Sequence, residues 1–137
     1  MNNINANISG LKSLNKFVGI WNMSGDDLSG QVRFDWFEGG FFLVQQVNII
    51  HFGKKIKGVE YIEYDVNSKQ CKSHFFDNAG NHFTYVWEIR DKEFTIWFGE
   101  KDSDNYFEGR FDDTYHSYSG DWKWPDGGYK AFAKKVL

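Results

Sequence analysis

Cysteine and proline each occur only once in this 137-residue chain, as Cys71 and Pro125. A single cysteine cannot form an intramolecular disulfide, which indicates a reducing compartment. The first residues, MNNINANISGLKSL, lack a basic segment followed by an apolar stretch, so we expect no signal peptide. No apolar run approaches the roughly 20 residues that span a bilayer. These absences predict a cytoplasmic protein with no membrane partner.

Clusters of basic residues are also missing. The net charge is −3, and the 16 basic and 19 acidic residues are scattered along the chain. The aromatic residues are many, with 14 Phe, 7 Tyr and 6 Trp. Such rings act as base-stacking platforms only beside a cationic groove, and no segment of the sequence supplies one. The composition therefore argues against a nucleic-acid partner.

Metal-ligating residues are few and badly spaced. His51, His74, His82 and His116 show no pairwise ligand spacing, and Cys71 has no second cysteine at C-x-x-C distance. A G-x-S-x-G nucleophile elbow is absent. We therefore predict no metal site and no cofactor.

What the sequence does contain is a short helical pattern followed by many strands. Ser9 could cap a helix over about 9–17, in which Leu11, Leu14 and Phe17 share one face. From Gly19 onward, stretches rich in aromatic and β-branched residues alternate with turn clusters. About ten strands are predicted, over residues 19–24, 30–37, 41–52, 57–65, 71–77, 81–90, 93–99, 105–111, 116–124 and 129–136.

A meander of this many strands loses its exposed edges by closing on itself. We therefore predict an all-β fold with one domain over residues 1–137. It is a single antiparallel up-and-down β-barrel over about 19–136, preceded by the short N-terminal helix. An open sandwich is the alternative.

The turns also predict which residues pair. A two-residue turn at 79–80 places His74 opposite Tyr85, and a three-residue loop at 67–69 places Ile62 opposite His74. A turn at 91–92 places Trp87 opposite Ile96. Because side chains alternate between faces, one face then forms the lumen and collects Phe76, Phe83, Tyr85, Trp87, Ile89, Phe94, Ile96 and Phe98. In the last hairpin, Trp122 and Trp124 are expected to meet Ala131 and Tyr129.

Polar residues are predicted among these aromatic side chains. The same registers place Glu60, Tyr64, Lys72, His74 and Tyr85 on the lumen face. At least one amide of the segment Gln45, Gln46 and Asn48 must also point inward and needs a partner. The predicted ligand-binding residues are Gln45, Glu60, Tyr64, His74, Tyr85, Trp87 and Phe98.

The segment Phe17-Val18-Gly19-Ile20-Trp21, directly after the predicted helix, resembles the Gly-x-Trp opening of the calycins, the lipocalin and fatty-acid-binding-protein superfamily. Segments 36–44, 64–65, 76–80 and 120–122 resemble small bacterial barrel proteins of unknown function with a calycin-like fold. The resemblance implies a barrel that can hold a small molecule, with Trp21 closing its floor; no activity comes with it.

Two features depart from these relatives. Lipocalins usually bring an arginine over the Gly-x-Trp tryptophan from the last strand, and here only Lys130, Lys134 and Lys135 are available. The last strand, over 129–135, also lacks the histidine that nitrobindin-type barrels use to hold haem. The resemblance thus argues against haem as a cofactor.

Three functional hypotheses remain open. The first is a non-enzymatic barrel that binds a small apolar or aromatic molecule, which predicts an unfilled cavity of a few hundred Å³. The second is an acid–base enzyme, which requires Glu60 and His74 within hydrogen-bond reach inside that cavity, with Tyr85 as a possible oxyanion donor. The third is a filled barrel that acts as a homodimer through an outward apolar patch of Phe75, Trp97 and Tyr118.

Overall fold

The computed structural model describes residues 10–137, so the predicted cap at Ser9 lies outside the described residues. Within this range the chain forms a 3₁₀ helix, Lys12–Phe17, and ten strands. The strands are β1 (Gly19–Gly25), β2 (Leu28–Trp36), β3 (Leu43–His51), β4 (Lys54–Asp65), β5 (Gln70–Asp77), β6 (His82–Arg90), β7 (Glu93–Phe98), β8 (Tyr106–Phe111), β9 (Ser117–Trp124) and β10 (Gly127–Lys135).

Every strand pairs antiparallel with its neighbours in sequence, and β1 also pairs with β10. The result is a closed ten-strand up-and-down barrel, which confirms the predicted fold class. Closure leaves no strand with an unpaired edge. Trp21 of β1 lies opposite Lys135 of β10, and the backbone of Ile20 bonds to that of Leu137 and Val136 just beyond the last strand.

The 3₁₀ helix covers one end of the barrel, which we call the floor. Leu11, Leu14 and Phe17 are buried, as the shared face of the sequence pattern predicts. Two polar contacts hold the helix in place: Lys16 bonds the backbone carbonyl of Asp91, and Trp36 donates its indole N–H to the side chain of Asn15 at 2.9 Å. The helix is therefore held over this end both by its buried apolar face and by its polar contacts with the barrel.

The predicted registers are right for one hairpin and wrong for others. Trp87 pairs with Ile96 as expected. In the neighbouring hairpins, however, His74 pairs with Tyr61 and Thr84, one residue away from the predicted partners Ile62 and Tyr85. Each slip is by one residue, so the second restores the facing that the first reverses, and β4 and β6 keep their predicted faces. Only β5 is turned over, which changes which of its side chains face the lumen.

Aspartates at the start of two turns cause these slips. Asp65 accepts hydrogen bonds from the backbone of Asn67 and the hydroxyl of Ser68. Asp77 accepts from the backbone amides of Ala79 and Asn81. Each aspartate thus orders a loop that is one residue longer than predicted. The strand between the two loops therefore moves by one position in register.

The last hairpin and the proposed outer patch also differ from the predictions. Trp122 pairs with Tyr129, not Ala131, because the turn between β9 and β10 contains two residues and not four. The patch of Phe75, Trp97 and Tyr118 does not form. Phe75 and Tyr118 line the lumen, and Trp97, which faces outward, is buried against neighbouring side chains.

Candidate functional site

The barrel contains an unfilled cavity of about 170 Å³. It lies between Phe17 on the floor and the opposite end of the barrel, which we call the mouth and which is formed by the turns that follow β1, β3, β5, β7 and β9. Its volume is below the expected few hundred Å³ because aromatic rings occupy much of the lumen. The rings on its wall are Phe17, Phe34, Phe75, Tyr85, Trp87, Phe94, Phe107, Tyr118, Trp122 and Tyr129.

Among residues 10–137, Glu60 is the one acidic side chain on the cavity wall, and only 4% of it is exposed. Its carboxyl group receives three hydrogen bonds from neighbouring strands. Gln45 Nε2 donates to Oε1 at 2.6 Å, Ser73 Oγ donates to Oε2 at 2.5 Å, and Trp87 Nε1 donates to Oε2 at 3.3 Å. Trp87 Nε1 also lies 3.1 Å from Ser73 Oγ, so the group forms one connected network. Gln45 is the inward amide that the sequence requires.

Burial raises the pKa of Glu60 above its ordinary value of 4.5, because desolvation disfavours the charged form. The hydrogen bonds from Ser73, Trp87 and Gln45 act in the opposite direction and stabilise the carboxylate, but desolvation is the larger effect. The protein therefore keeps a carboxyl group in an apolar cavity at a free-energy cost that falls when the group is protonated.

This balance predicts how the Glu60→Gln variant behaves with pH. A raised pKa means that the folded state binds the proton more tightly, so wild-type stability is lost as pH rises from the unfolded to the folded pKa. Glu60→Gln removes this loss. Urea unfolding should show the variant gaining on wild type between pH 4.5 and pH 8, by about 1.4 kcal/mol for each unit of pKa elevation.

The control is Glu38→Gln, since Glu38 lies in the turn between β2 and β3, is exposed, and forms no ion pair or side-chain hydrogen bond within residues 10–137. This control should keep the same stability difference from wild type at both pH values. An equally constant difference for Glu60→Gln would show that its carboxyl group has the same pKa in the folded and unfolded states.

Two tyrosines place hydroxyl groups near the cavity without protein partners. The hydroxyls of Tyr85 and Tyr129 form no hydrogen bond with any other residue in the described range 10–137, while Tyr118 contacts the sulfur of Met23 at 3.9 Å. Burial raises the pKa of Tyr85, and the nearby charge of Glu60 raises it further; burial alone raises the pKa of Tyr129 to about 12. Both phenols therefore stay neutral at physiological pH.

Three rings pack against one another at the mouth. The ring of His51 lies 4.3 Å from that of Phe52 and 4.2 Å from that of Tyr129, measured between centroids. Its Nε2 is buried and has no hydrogen-bond partner among residues 10–137, and desolvation lowers its pKa. Phe52 adopts a φ of 51°, which is rare for a bulky side chain, and forms a two-residue turn with Gly53.

His74 is not in the cavity, contrary to the predicted register. Because β5 is turned over, its imidazole lies on the outer surface, where Nδ1 is 3.3 Å from His82 Nε2 and Nε2 is 3.9 Å from Glu63. Lys72 and Phe76 face outward with it, and Lys72 pairs with Asp65. The Glu60–His74 pair that the acid–base hypothesis requires is therefore not formed.

The remaining predicted residues fall into two groups. Gln45, Glu60, Tyr85 and Trp87 line the cavity together. Two other residues face inward but lie outside it. Tyr64 packs against the buried core, where its ring lies beside Gly10 near the floor, and Phe98 lies near the mouth, 38% exposed and 5.6 Å from Tyr85 between ring centroids. Whether any of the seven predicted residues binds a ligand remains a prediction.

Ser73 was missed by the sequence analysis. By placing His74 in the lumen, the predicted registers placed its neighbour Ser73 on the outer face. The signal that could have found it is the Asp at the start of each flanking loop, because Asp65 and Asp77 set the loop lengths that turn Ser73 inward. Phe17 was placed on the helix but not identified as a cavity wall, and nothing in its local sequence pattern indicates that role.

The described residues contain no group of three or more His, Cys, Asp or Glu side chains arranged to hold a metal ion. Across residues 10–137 no helix has the length and apolar character needed to cross a membrane. Cys71 is buried, and burial raises the pKa of its thiol to about 11, so it stays protonated and unreactive at neutral pH.

The fold and site together define a closed antiparallel barrel whose aromatic lumen keeps one small cavity and one buried carboxyl group. A comparison of the chain with models of protein families and with curated protein sequences gives no match to either.

Proposed function

We propose that the barrel binds one small, mostly apolar molecule, about the size of a single ring, in the lumen cavity. The observation that carries this proposal is the unfilled space of about 170 Å³ with the hydrogen-bonded carboxyl group of Glu60 on its wall. An engineered apolar cavity of about 150 Å³ in another protein takes up benzene. The present cavity therefore has room for one substituted ring.

The balance of polar and apolar groups also supports binding. Ligand sites are mostly apolar walls with a few convergent polar groups that orient the ligand. Here the polar groups facing the space are Glu60, Gln45 and the hydroxyls of Tyr85 and Tyr129. A purely structural barrel would not need this network, because replacing Glu60 and its three donors together with apolar side chains of similar shape is neutral or stabilising.

A calycin-like ancestry is part of the proposal. Trp21 is completely buried beside the floor, and Lys135 Nζ of the last strand lies 5.8 Å from the centroid of its ring. This contact supports the proposal that Lys135, one of the three candidate lysines, stands in for the arginine of lipocalins. This arrangement, together with the Gly-x-Trp opening, favours a barrel of the calycin type and a ligand in the lumen.

The test is to fill the cavity. Ala131 of β10 lines the space, and in Ala131→Leu the added methyl groups extend into it. Wild-type protein titrated with benzyl alcohol should show a saturable shift of the Trp87 indole N–H resonance in NMR. At a ligand concentration of about 100 times Kd, binding should stabilise the fold by about 2.7 kcal/mol. Ala131→Leu should lose both effects.

The control is Phe132→Leu, which introduces the same residue one position further along β10, on the outer face. It should bind as wild type does. If wild type shows no saturable shift up to the solubility limit of benzyl alcohol, toluene and ethylbenzene, the lumen does not bind one-ring molecules and the proposal is wrong.

A further inference from the structure

We propose that the ligand of the lumen is an organic cation: an ammonium group on a small apolar or aromatic body, with its N–H directed at Glu60 Oε1. This inference rests on the proposed lumen binding and adds the chemical class of the ligand. It is carried by the hydrogen-bond geometry of Glu60, by the character of the cavity wall and by the charges that face it.

The first argument is the count of hydrogen bonds at Glu60. A carboxylate offers about four acceptor positions, two on each oxygen. Within the described part of the chain, residues 10–137, Oε2 accepts from both Ser73 and Trp87, while Oε1 accepts from Gln45 alone. One acceptor position on Oε1 is therefore free, and Glu60 lies on the cavity wall. A ligand N–H placed in the cavity would complete the set.

The second argument is that the partners of Glu60 fit its charged form. Gln45, Ser73 and Trp87 each donate a hydrogen to the carboxyl oxygens. A protonated Glu60 would carry a hydrogen of its own on one oxygen, so one of these three hydrogen bonds would have to break or reverse its direction. A buried carboxylate needs an opposite charge to offset desolvation, and a cationic ligand supplies that charge.

The third argument is the charge balance of the lumen. The described residues that line the cavity include no lysine, arginine or histidine. The other titratable groups that face Glu60 from packed strands are the phenols of Tyr85, Tyr118 and Tyr129, all held neutral by burial, and His51 at the mouth is kept neutral by desolvation. No cationic side chain among these residues would attract an anion, and the carboxylate of Glu60 would repel it.

The fourth argument is the aromatic wall. The faces of aromatic rings attract cations, most strongly when water is excluded, and tryptophan is the best partner. Trp87 on β6 and Trp122 on β9 both line the cavity. The centroid of the Tyr85 ring lies 6.1 Å from that of Trp122. The unpartnered hydroxyl oxygens of Tyr85 and Tyr129 add two acceptors for ammonium hydrogens. The same wall accepts the apolar body of the ligand.

The experiment compares probes of nearly equal shape and different charge. Benzylamine is a cation at pH 7.5, ethylbenzene is its neutral isostere, and benzoate is an anion. Titration of the whole protein, followed by calorimetry and by the Trp87 indole resonance, should give an affinity for benzylamine at least about tenfold above that for ethylbenzene. Benzoate should not bind. Benzylamine affinity should fall as pH drops through the raised pKa of Glu60, because protonation removes the charge.

Two variants separate the role of the charge from that of the fold. Glu60→Gln should reduce benzylamine affinity about tenfold or more and leave ethylbenzene affinity within about twofold. Glu63→Gln, the outer-face control on the same strand, should change neither. Tyr85→Phe keeps the ring and removes one acceptor, so it should weaken benzylamine binding and spare ethylbenzene, which provides a second test in case Glu60→Gln folds poorly.

The outcomes are distinct. Ethylbenzene binding as tightly as benzylamine, or benzylamine affinity unchanged in Glu60→Gln, overturns the cation assignment and leaves lumen binding intact. Benzyl alcohol binding more tightly than benzylamine in wild type also overturns it, in favour of a neutral donor. Binding of none of the probes overturns the proposed function, and the cation assignment with it.

Discussion

Replacing Phe17 by alanine should lower the free energy of unfolding by about 3–5 kcal/mol, because the ring is fully packed and its loss leaves a cavity. The side chain is 1% exposed. Its ring centroid lies 5.0–5.8 Å from those of five other aromatic residues: Phe34, Trp87, Phe94, Phe111 and Tyr118. Guanidinium unfolding followed by far-UV circular dichroism measures the change.

Phe17→Ala should also enlarge the lumen cavity, since Phe17 forms one wall of it. The control is Phe37→Ala, which removes the same atoms from a side chain that is 55% exposed and should cost less than about 1 kcal/mol. Equal costs for the two variants would mean that the helix is not packed into the barrel as described.

Replacing Trp21 by alanine should likewise lower the free energy of unfolding by about 3–5 kcal/mol. Trp21 is completely buried, and its indole N–H donates to the backbone carbonyl of Phe17 at 2.8 Å. Phe17 is the last residue of the 3₁₀ helix, where backbone carbonyls lack a donor within the helix. The variant therefore loses a packed ring and the hydrogen bond that joins the helix to β1. Thermal unfolding and near-UV circular dichroism give the readout.

The control for Trp21→Ala is Lys135→Gln, which removes the cation over the Trp21 ring and leaves the ring in place. A cation–π contact near the surface contributes about 0.5–1 kcal/mol, so this variant should be only mildly destabilised. A cost for Lys135→Gln that matches the cost for Trp21→Ala would show that the lysine, and not the packed indole, holds the floor together.

The barrel itself could be predicted from the sequence because its signal is repeated. Ten short aromatic stretches with turn residues between them leave few architectures open, and most strand positions agree with the structure within a few residues. The face on which each side chain lies can also be predicted where a turn is short and unambiguous. The turn at Asp91-Lys92 correctly pairs Trp87 with Ile96. The strand number favoured closure by β1 and β10 over an open sandwich, because closing the meander removes its exposed edges.

The candidate site could be predicted only in part, because single residues in the loops decide which side chains of a strand point into the lumen. Glu60 and Gln45 were assigned to the lumen correctly, since β3 and β4 keep their expected faces. Ser73 and His74 exchanged places because side-chain caps at Asp65 and Asp77 change two loop lengths by one residue. Because side chains alternate between the two faces of a strand, a slip of one residue moves every side chain of the strand to the opposite face. No pattern within β5 itself indicates which of its faces points into the lumen.

The pairing of β1 with β10 has a consequence for the order of events during synthesis. Residues that meet at this seam, such as Met23 and Ala133, are separated by more than a hundred positions in the chain. Neighbouring hairpins can form as soon as they leave the ribosome, but the seam cannot, and long-range pairings of this kind are slow. Until β10 emerges, the nascent chain is an open, curved sheet with two free edges and an uncovered aromatic face. We expect this interval to be the time at which the protein most needs a chaperone.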